Sequence, residues 1–297
     1  MNISIDVLIK KAGILIEALP YIQKLSGKTV VIKYGGNAML DDGVKRTVAA
    51  DVAALTSAGM HPILVHGGGP AISEHMERLS LRPRFIDGHR VTSPEVLEVV
   101  EMVLSGKVNR EIVALLNAQG VRAIGISGKD GRLAVARKHY RSVDRDGTRR
   151  RLDLGRVGEL VSVDTSVIRD LLAGGFVPVV SPIATGEDLL DYNINADAFA
   201  GHLALALGAH RLIYLTDVDG LMGEPGRSET LIPKLDCAGA RRCLEGAVSG
   251  GMIPKVESAV KAVEGGVGRA HIINGTAPHS ILGVFSDGAP CGTMIIR

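Results

Sequence analysis

Five short segments carry residue types whose chemistry needs a defined place. Lys33, Tyr34, Gly35, Gly36 and Asn37 follow the apolar run Thr29 to Ile32, and His66, Gly67, Gly68, Gly69 and Pro70 follow Ile63 to Val65. Glycines directly after strands let backbone N–H groups approach phosphate oxygens, and a following helix adds its positive N-terminal end. Both segments read as anion cradles. Neither fits the commoner nucleotide fingerprints: Ile72 stands where GxGxxG needs its third glycine, and Ile22 stands where a Walker loop ahead of Gly27, Lys28 and Thr29 needs its first. The third segment is Asn193, Ile194, Asn195, Ala196 and Asp197, opening a helical pattern in which Asn195 or Asp197 would serve as a cap. Leu215 to Gly220 holds Asp217 and Asp219, half of a calcium loop without its remaining ligands. Gly250, Gly251, Met252, Ile253, Pro254 and Lys255 complete the set.

The elements that position these segments are brief apolar strands alternating with longer helical patterns, the signature of a mainly parallel sheet covered by helices. The spacing predicts strands at Thr29 to Ile32, Ile63 to Val65, Val121 to Ile124, Val177 to Val180, Leu212 to Leu215 and His271 to Ile273. Their near-continuous Val, Ile and Leu suits burial on both faces. Ser93 is an N-cap with Pro94 behind it, and Val96, Val100, Val103, Leu104, Val108, Ile112 and Leu115 predict one long helix. Residues 132 to 163 read as an extended hairpin whose basic stretch, with Asp144, Asp146, Gly147 and Arg149 to Arg151, is either a solvated tip or an anion contact. The glycine pair Gly174 and Gly175 predicts a boundary between two halves, 27–175 and 176–297, behind an N-terminal helix at 1–26.

Composition narrows the partners. The chain has 297 residues, and its 34 Lys plus Arg against 32 Asp plus Glu leave a net charge of +2, too balanced to imply a polyanionic partner. Aromatics at 3% with no Trp weaken base stacking, so nucleic acid is not expected. Three cysteines, Cys237, Cys243 and Cys291, lack zinc or disulfide spacing, which favours a reducing cytoplasm and no protein-held metal. Charges at Asp6, Lys10, Lys11 and Glu17 interrupt the first apolar stretch, so neither a signal peptide nor a membrane span is expected.

Taken together, KYGGNAM, HGGGP, GHRVT, NINAD, TDVDG and GGMIPK, in this order and spacing, resemble the amino acid kinase superfamily, most closely its N-acetyl-L-glutamate kinases. The resemblance runs from about Leu19 to Ile295. It implies a three-layer αβα sandwich and transfer of the γ-phosphate of ATP, with Mg²⁺ carried by the nucleotide, to the γ-carboxylate of N-acetyl-L-glutamate in arginine biosynthesis. It implies that Lys33 and Lys255 stabilise the transferred group, that Asp197 holds both, and that Gly36, Gly68 and Gly69 offer N–H groups. Arg90 and Asn193 would bind the substrate's α-carboxylate. Thr216, Asp217 and Met252 would line the nucleotide site, which Lys33, Gly36 and Lys255 share.

The segment from Ile3 to Leu25 has the apolar spacing of an amphipathic helix, with Val7, Ile14, Leu15, Ala18, Ile22 and Leu25 in phase. In arginine-inhibited members of the family such a helix interlaces dimers into a homohexamer, and EALPYIQK around Tyr21 looks like theirs. Packing on its own subunit is the alternative. His279 matches the family's arginine site, but Gly283, Val284 and Phe285 stand where that pattern has a glutamate. The rivals are a kinase of the same fold acting on aspartate, glutamate or a carrier-linked aminoadipate, and an amino-acid-binding protein without catalysis.

Overall fold

The structure, a computed structural model, describes residues 4–86, 89–145, 148–224, 226–246, 248, 250–285 and 291–297. The side chains of Tyr21 and Asn37, and those of Asp144, Arg149 and Arg150, lie outside the described set, as do Gly88 and the turn at 146–147.

In chain order the elements are α1 (Ile5–Leu25), β1 (Thr29–Tyr34), a 3-10 turn (Gly36–Met39), α2 (Asp42–Ser57), β2 (His61–His66), α3 (Gly69–Arg78), β3 (Phe85–Ile86), β4 (His89–Arg90) and α4 (Pro94–Glu101). A π-helical turn at Met102–Val108 leads into α5 (Asn109–Ala118), β5 (Ala123–Ser127), β6 (Ala134–Arg145), β7 (Thr148–Val163), α6 (Ser166–Ala173), β8 (Val177–Ser181), β9 (Ile183–Gly186) and β10 (Asp191–Ile194). The chain closes with α7 (Ala196–Leu207), β11 (Arg211–Thr216), β12 (Lys234–Asp236), α8 (Cys237–Leu244), α9 (Met252–Glu264), β13 (Ala270–Asn274), α10 (Ser280–Gly283) and β14 (Thr293–Ile296).

Eight strands form one sheet in the order β12-β14-β13-β11-β1-β2-β8-β5, parallel except where β14 runs against β13. Alternate residues of each central strand enter opposite cores, as the period of two requires. Val31, Ile63, Leu212 and Tyr214 face α7 and α9, whereas Val30, Ile32, Leu64 and Ile213 face α2 and α5. Both faces are thus covered, so the helix-covered parallel sheet expected from the apolar runs, and the three-layer αβα sandwich implied by the resemblance, is the observed architecture. The stretches 27–175 and 176–297 both contribute strands to the sheet, β8 lying between β2 and β5.

The hairpin read at 132 to 163 is β6 paired antiparallel with β7, and β9 and β10 close these two into a small barrel beside the main sheet. Two expectations shift. The strand expected at 121–124 runs instead from Ala123 to Ser127, because its ladder to β8 continues past Gly125 as far as the Ser127–Ser181 pair. The long helix begins as read, with Ser93 Oγ accepting from the Val96 N–H at 3.3 Å, but it is interrupted by the π-helical turn. Such a turn inserts a residue into the helical ladder and is common at functional sites.

Candidate active site

In open α/β sheets the carboxyl ends of the strands form the ligand-binding edge, especially where strand order reverses. Here the reversal falls at β1, flanked by β2 on one side and β11 on the other. Register places Lys33 beside Val65 and Tyr214, and Tyr34 beside His66, so the two glycine segments and Thr216 emerge along one edge.

At that edge the lysine-bearing segments converge on a single carboxylate. Lys33 Nζ lies 3.0 Å from Asp197 Oδ1, and Lys255 Nζ donates to Asp197 Oδ2 at 3.1 Å. All three side chains are largely buried, with exposures of 9%, 14% and 7% for Lys33, Lys255 and Asp197. Burial opposes ionisation of Asp197, but the two ammonium groups outweigh it and hold the carboxyl below its usual range. Asn195, not Asp197, caps α7: its Oδ1 accepts from the N–H groups of Asp197 and Ala198 at 2.9 and 3.1 Å. That division leaves the Asp197 side chain for the lysines. Two cations sharing one anion keep a net positive charge, which suits the approach of another anion.

The position of Asp197 is set from behind by two groups the sequence reading did not single out. Ser258 Oγ donates to the Asp197 carbonyl at 2.9 Å, and the Tyr214 hydroxyl donates to Ser258 Oγ at 2.8 Å. Tyr214 lies in the core, and burial raises its phenol above the ordinary range, so it remains a donor. The contact needs close helices: a Cβ on Gly201 of α7 would lie 2.1 Å from Ser258 Oγ of α9. The only hint in the sequence is a glycine inside a helical pattern.

The glycine segments frame the ammonium groups. A Cβ on Gly35 would meet Lys33 Nζ at 2.8 Å and the Gly67 nitrogen at 3.7 Å, so the first segment lies between the lysine and the second segment. Gly36 adopts φ 70°, a left-handed conformation that favours glycine, and a Cβ there or on Gly69 would stand in open space. Gly68 instead backs onto protein, since a Cβ would meet Leu104 Cδ2 at 2.6 Å.

Arg90 is brought to the same edge. Its guanidinium donates to the Gly69 carbonyl at 3.0 Å and to Ser73 Oγ at 2.7 Å, and stacks 4.7 Å from the Phe85 ring centroid. Burial lowers its pKa, and no carboxylate pairs with it among the described residues. Such a cation has charge to offer a ligand. Asn193, half-buried on β10, pairs in register with Val157 of β7 and Ile183 of β9. Thr216 Oγ1 donates to Asp217 Oδ1 at 3.2 Å at the end of β11, and Met252 opens α9, one turn before Lys255. His279 is not part of this cluster; its Nδ1 lies 2.6 Å from Asp51 Oδ1 on α2. Tyr21, named with it, has its side chain outside the described residues.

Known proteins resemble the chain along almost its whole length. The acetylglutamate kinase of Heliobacterium modesticaldum is 49% identical over 292 residues, covering 97% of this chain and 99% of that one. Among solved structures, the N-acetylglutamate synthase of Neisseria gonorrhoeae in complex with coenzyme A and N-acetyl-glutamate superposes with a TM-score of 0.80 at 29% identity, over 95% of this chain and 62% of that chain. The same synthase in complex with coenzyme A and L-arginine gives a TM-score of 0.75 at 27% identity, over 94% and 64% of the two chains. This chain therefore spans less than two thirds of the synthase. The amino acid kinase family model matches residues 28–274, from the strand bearing Lys33 to the last residue of β13, so the chain belongs to the amino acid kinase family and groups with its acetylglutamate kinases.

Proposed function

We infer that the protein transfers the γ-phosphoryl group of ATP to the γ-carboxylate of N-acetyl-L-glutamate, giving N-acetyl-L-glutamyl 5-phosphate in arginine biosynthesis. The observation that carries this reading is the Asp197 carboxylate held between the Lys33 and Lys255 ammonium groups, 3.0 and 3.1 Å away, at the ligand-binding edge of the sheet. An acceptor carboxyl titrates near ~4.3, so the nucleophile is ionised at neutral pH and needs no general base. Repulsion between two anions is the obstacle, and fixed positive charge with backbone donors is the remedy.

In this mechanism Lys33 and Lys255 approach the transferred group from the halves 27–175 and 176–297, which serve acceptor and nucleotide respectively. Asp197 orients both lysines. Gly36, Gly68 and Gly69 present N–H groups to phosphoryl and substrate oxygens. Arg90 and Asn193 hold the α-carboxylate of N-acetylglutamate, and Thr216, Asp217 and Met252 line the nucleotide site. Mg²⁺ enters as part of the nucleotide substrate.

The assembly in this reading is a homohexamer, a trimer of dimers interlaced through α1, and the protein works in the cytoplasm. Ile5, Ile9, Ile16 and Leu19 of α1 are 75%, 63%, 68% and 51% exposed, an apolar surface in want of a partner. No helix among the described residues is long and apolar enough to cross a membrane. Arginine is the effector in this reading, acting at Tyr21 and His279 without the glutamate missing at 283–285; the arginine-bound synthase from Neisseria gonorrhoeae supports it. A dimer by light scattering overturns the hexamer, and rates unaltered by millimolar arginine overturn the effector.

The experiment for the activity is ADP release from MgATP, comparing N-acetyl-L-glutamate with glutamate, aspartate and no acceptor, with hydroxylamine trapping the acyl phosphate. Turnover with N-acetylglutamate alone is the expected result. Turnover with another acceptor changes the substrate, and binding without turnover moves the protein to the non-catalytic reading.

A further inference from the structure

The second glycine segment is anchored by groups that touch no expected ligand. His66 ends β2 and is fully buried; its Nδ1 lies 2.8 Å from the Gly67 carbonyl oxygen. On the other side, His66 Nε2 lies 3.1 Å from Asn109 Nδ2, and the same amide nitrogen donates to the Val179 carbonyl of β8 at 2.9 Å. The Val179 oxygen accepts only, so the Asn109 amide must present its NH₂ on this side. Nε2 of His66 is then the acceptor for the second amide hydrogen. The imidazole proton is therefore on Nδ1, aimed at the Gly67 carbonyl.

The rest of the surroundings enforce this arrangement. Asn109 is 1% exposed and is the first residue after the π-helical turn. A Cβ on Gly125 of β5 would lie 1.7 Å from Asn109 Oδ1, so only glycine there admits the asparagine. From the same turn Leu104 and Val108 press against Gly68, at 2.6 and 3.4 Å from the position of a Cβ. The Gly67 N–H is fixed too, donating to the Tyr34 carbonyl of β1 at 2.8 Å. With its carbonyl turned to His66, the trans peptide sends the Gly68 N–H the opposite way.

We propose that Asn109 and His66, set by the π-helical turn, are positioning residues that lock the Gly67–Gly68 peptide so that the Gly68 N–H is preorganised for the phosphoryl-transfer step. This rests on the reading that Gly68 and Gly69 offer N–H groups to the reacting oxygens. A donor fixed before reaction needs no reorganisation during it, and misplacement of about 1 Å costs ~10² in rate. Burial drives the His66 pKa down to about 4, so the ring stays neutral at physiological pH and its two hydrogen bonds set the tautomer.

The test is a pair of substitutions in the full-length enzyme. An asparagine at 66 places an amide near imidazole Nδ1 and keeps the donation to Gly67; a glutamine reaches the Nε2 position and keeps only Asn109. His66→Gln is expected to lower kcat by about 10- to 100-fold with KM for ATP within about twofold, whereas His66→Asn retains kcat within about fivefold, at matched thermal midpoints. Equal kcat in the two variants overturns the proposal. If neither folds, Asn109→Ser decides: a kcat about tenfold lower at unchanged KM for ATP supports the positioning role, and an unchanged kcat overturns it. Wild-type turnover is measured alongside. If the active acceptor is not N-acetylglutamate, the substrate reading fails and the variants are compared on the acceptor that works. If no acceptor works, the crystal structure of His66→Gln decides, a rotated Gly67–Gly68 peptide supporting the lock and an unmoved one removing it.

Discussion

Strand β11 carries a buried cationic group at each end of its neighbourhood, and the two are built differently. At the carboxyl end, next to Tyr214 and Thr216, Lys33 and Lys255 share Asp197. At the amino end Arg211 is 8% exposed and donates to His271 Nε2 at 2.9 Å, with the Phe285 ring centroid 5.1 Å away and no carboxylate partner among the described residues. Burial, with Arg269 nearby, lowers the Arg211 pKa to about 10, and burial, with Arg211 next in weight, drives His271 down to about 3. Charge at the first end is paired with a counter-charge. At the second it is opposed by burial and by Arg269, with no carboxylate facing it among the described residues. A cation becomes useful for moving an anion when a neighbouring carboxylate aims it, not simply because it is buried.

The comparison is broken most forcefully by removing one cation from each end. Lys255→Ala should lower kcat by on the order of 10² to 10³, the usual loss for one preorganised donor. Arg211→Met, at the far end of a strand ~17 Å long, should leave kcat within about twofold. Steady-state kinetics on the two variants decide the matter, and similar losses in both would erase the distinction.

Removing the counter-charge gives the next largest effect. Asp197→Asn should lower kcat by roughly 10² and destabilise the fold by about 3–5 kcal/mol at neutral pH, because two ammonium groups are left facing each other. Since the folded-state pKa of Asp197 is depressed, its contribution is complete above the unfolded value of ~3.9 and is lost as pH falls through the lower folded value. Urea unfolding should therefore show the wild-type advantage shrinking below about pH 4.

Arg90 tests whether an unpaired cation at the working edge serves binding. Arg90→Ala should raise KM for N-acetylglutamate at least about tenfold, as expected for a charge-assisted hydrogen bond, with little change for ATP. A rise confined to KM for ATP would place Arg90 on the wrong substrate.

The smallest effect sharpens the amino end. His271 has a folded pKa of about 3, below its unfolded value, so its contribution is complete above ~6.5 and lost as pH falls toward 3. His271→Asn should remove up to about 1.4 kcal/mol per pH unit from the slope of stability across that window, with kcat unchanged. An identical slope in the variant would show that His271 titrates as it does when unfolded.

Much of this organisation was legible because parallel strands announce themselves as short apolar runs and because glycine-rich segments after them have few other uses. Lys33 and Lys255 sit in glycine-bearing segments and Asp197 in the glycine-free NINAD, and the family resemblance singled out the three together; they meet within ion-pair distance although 222 positions separate the first from the last. What escaped was whatever depends on an exact phase or on tertiary approach. The apolar spacing from Val96 to Leu115 is compatible with an unbroken helix, and nothing local marks the inserted residue at Met102–Val108. Tyr214 and Ser258 read as ordinary core and helix residues; their hydrogen bonds exist only once β11, α7 and α9 are assembled. The strand at Ala123–Ser127 was misplaced by two residues at its start because its extent follows its neighbour's ladder more than its own side chains.

Gly201 gives the kinase a spacing gauge. Its missing side chain fixes how near α9 can come to α7, and that separation in turn sets where the Lys255 ammonium stands relative to Asp197. A single methyl group added at 201 would act as a shim. It would move the reactive charges apart while leaving every group that meets a substrate chemically intact, so catalytic strength here is partly a matter of the thickness of one residue outside the active-site edge.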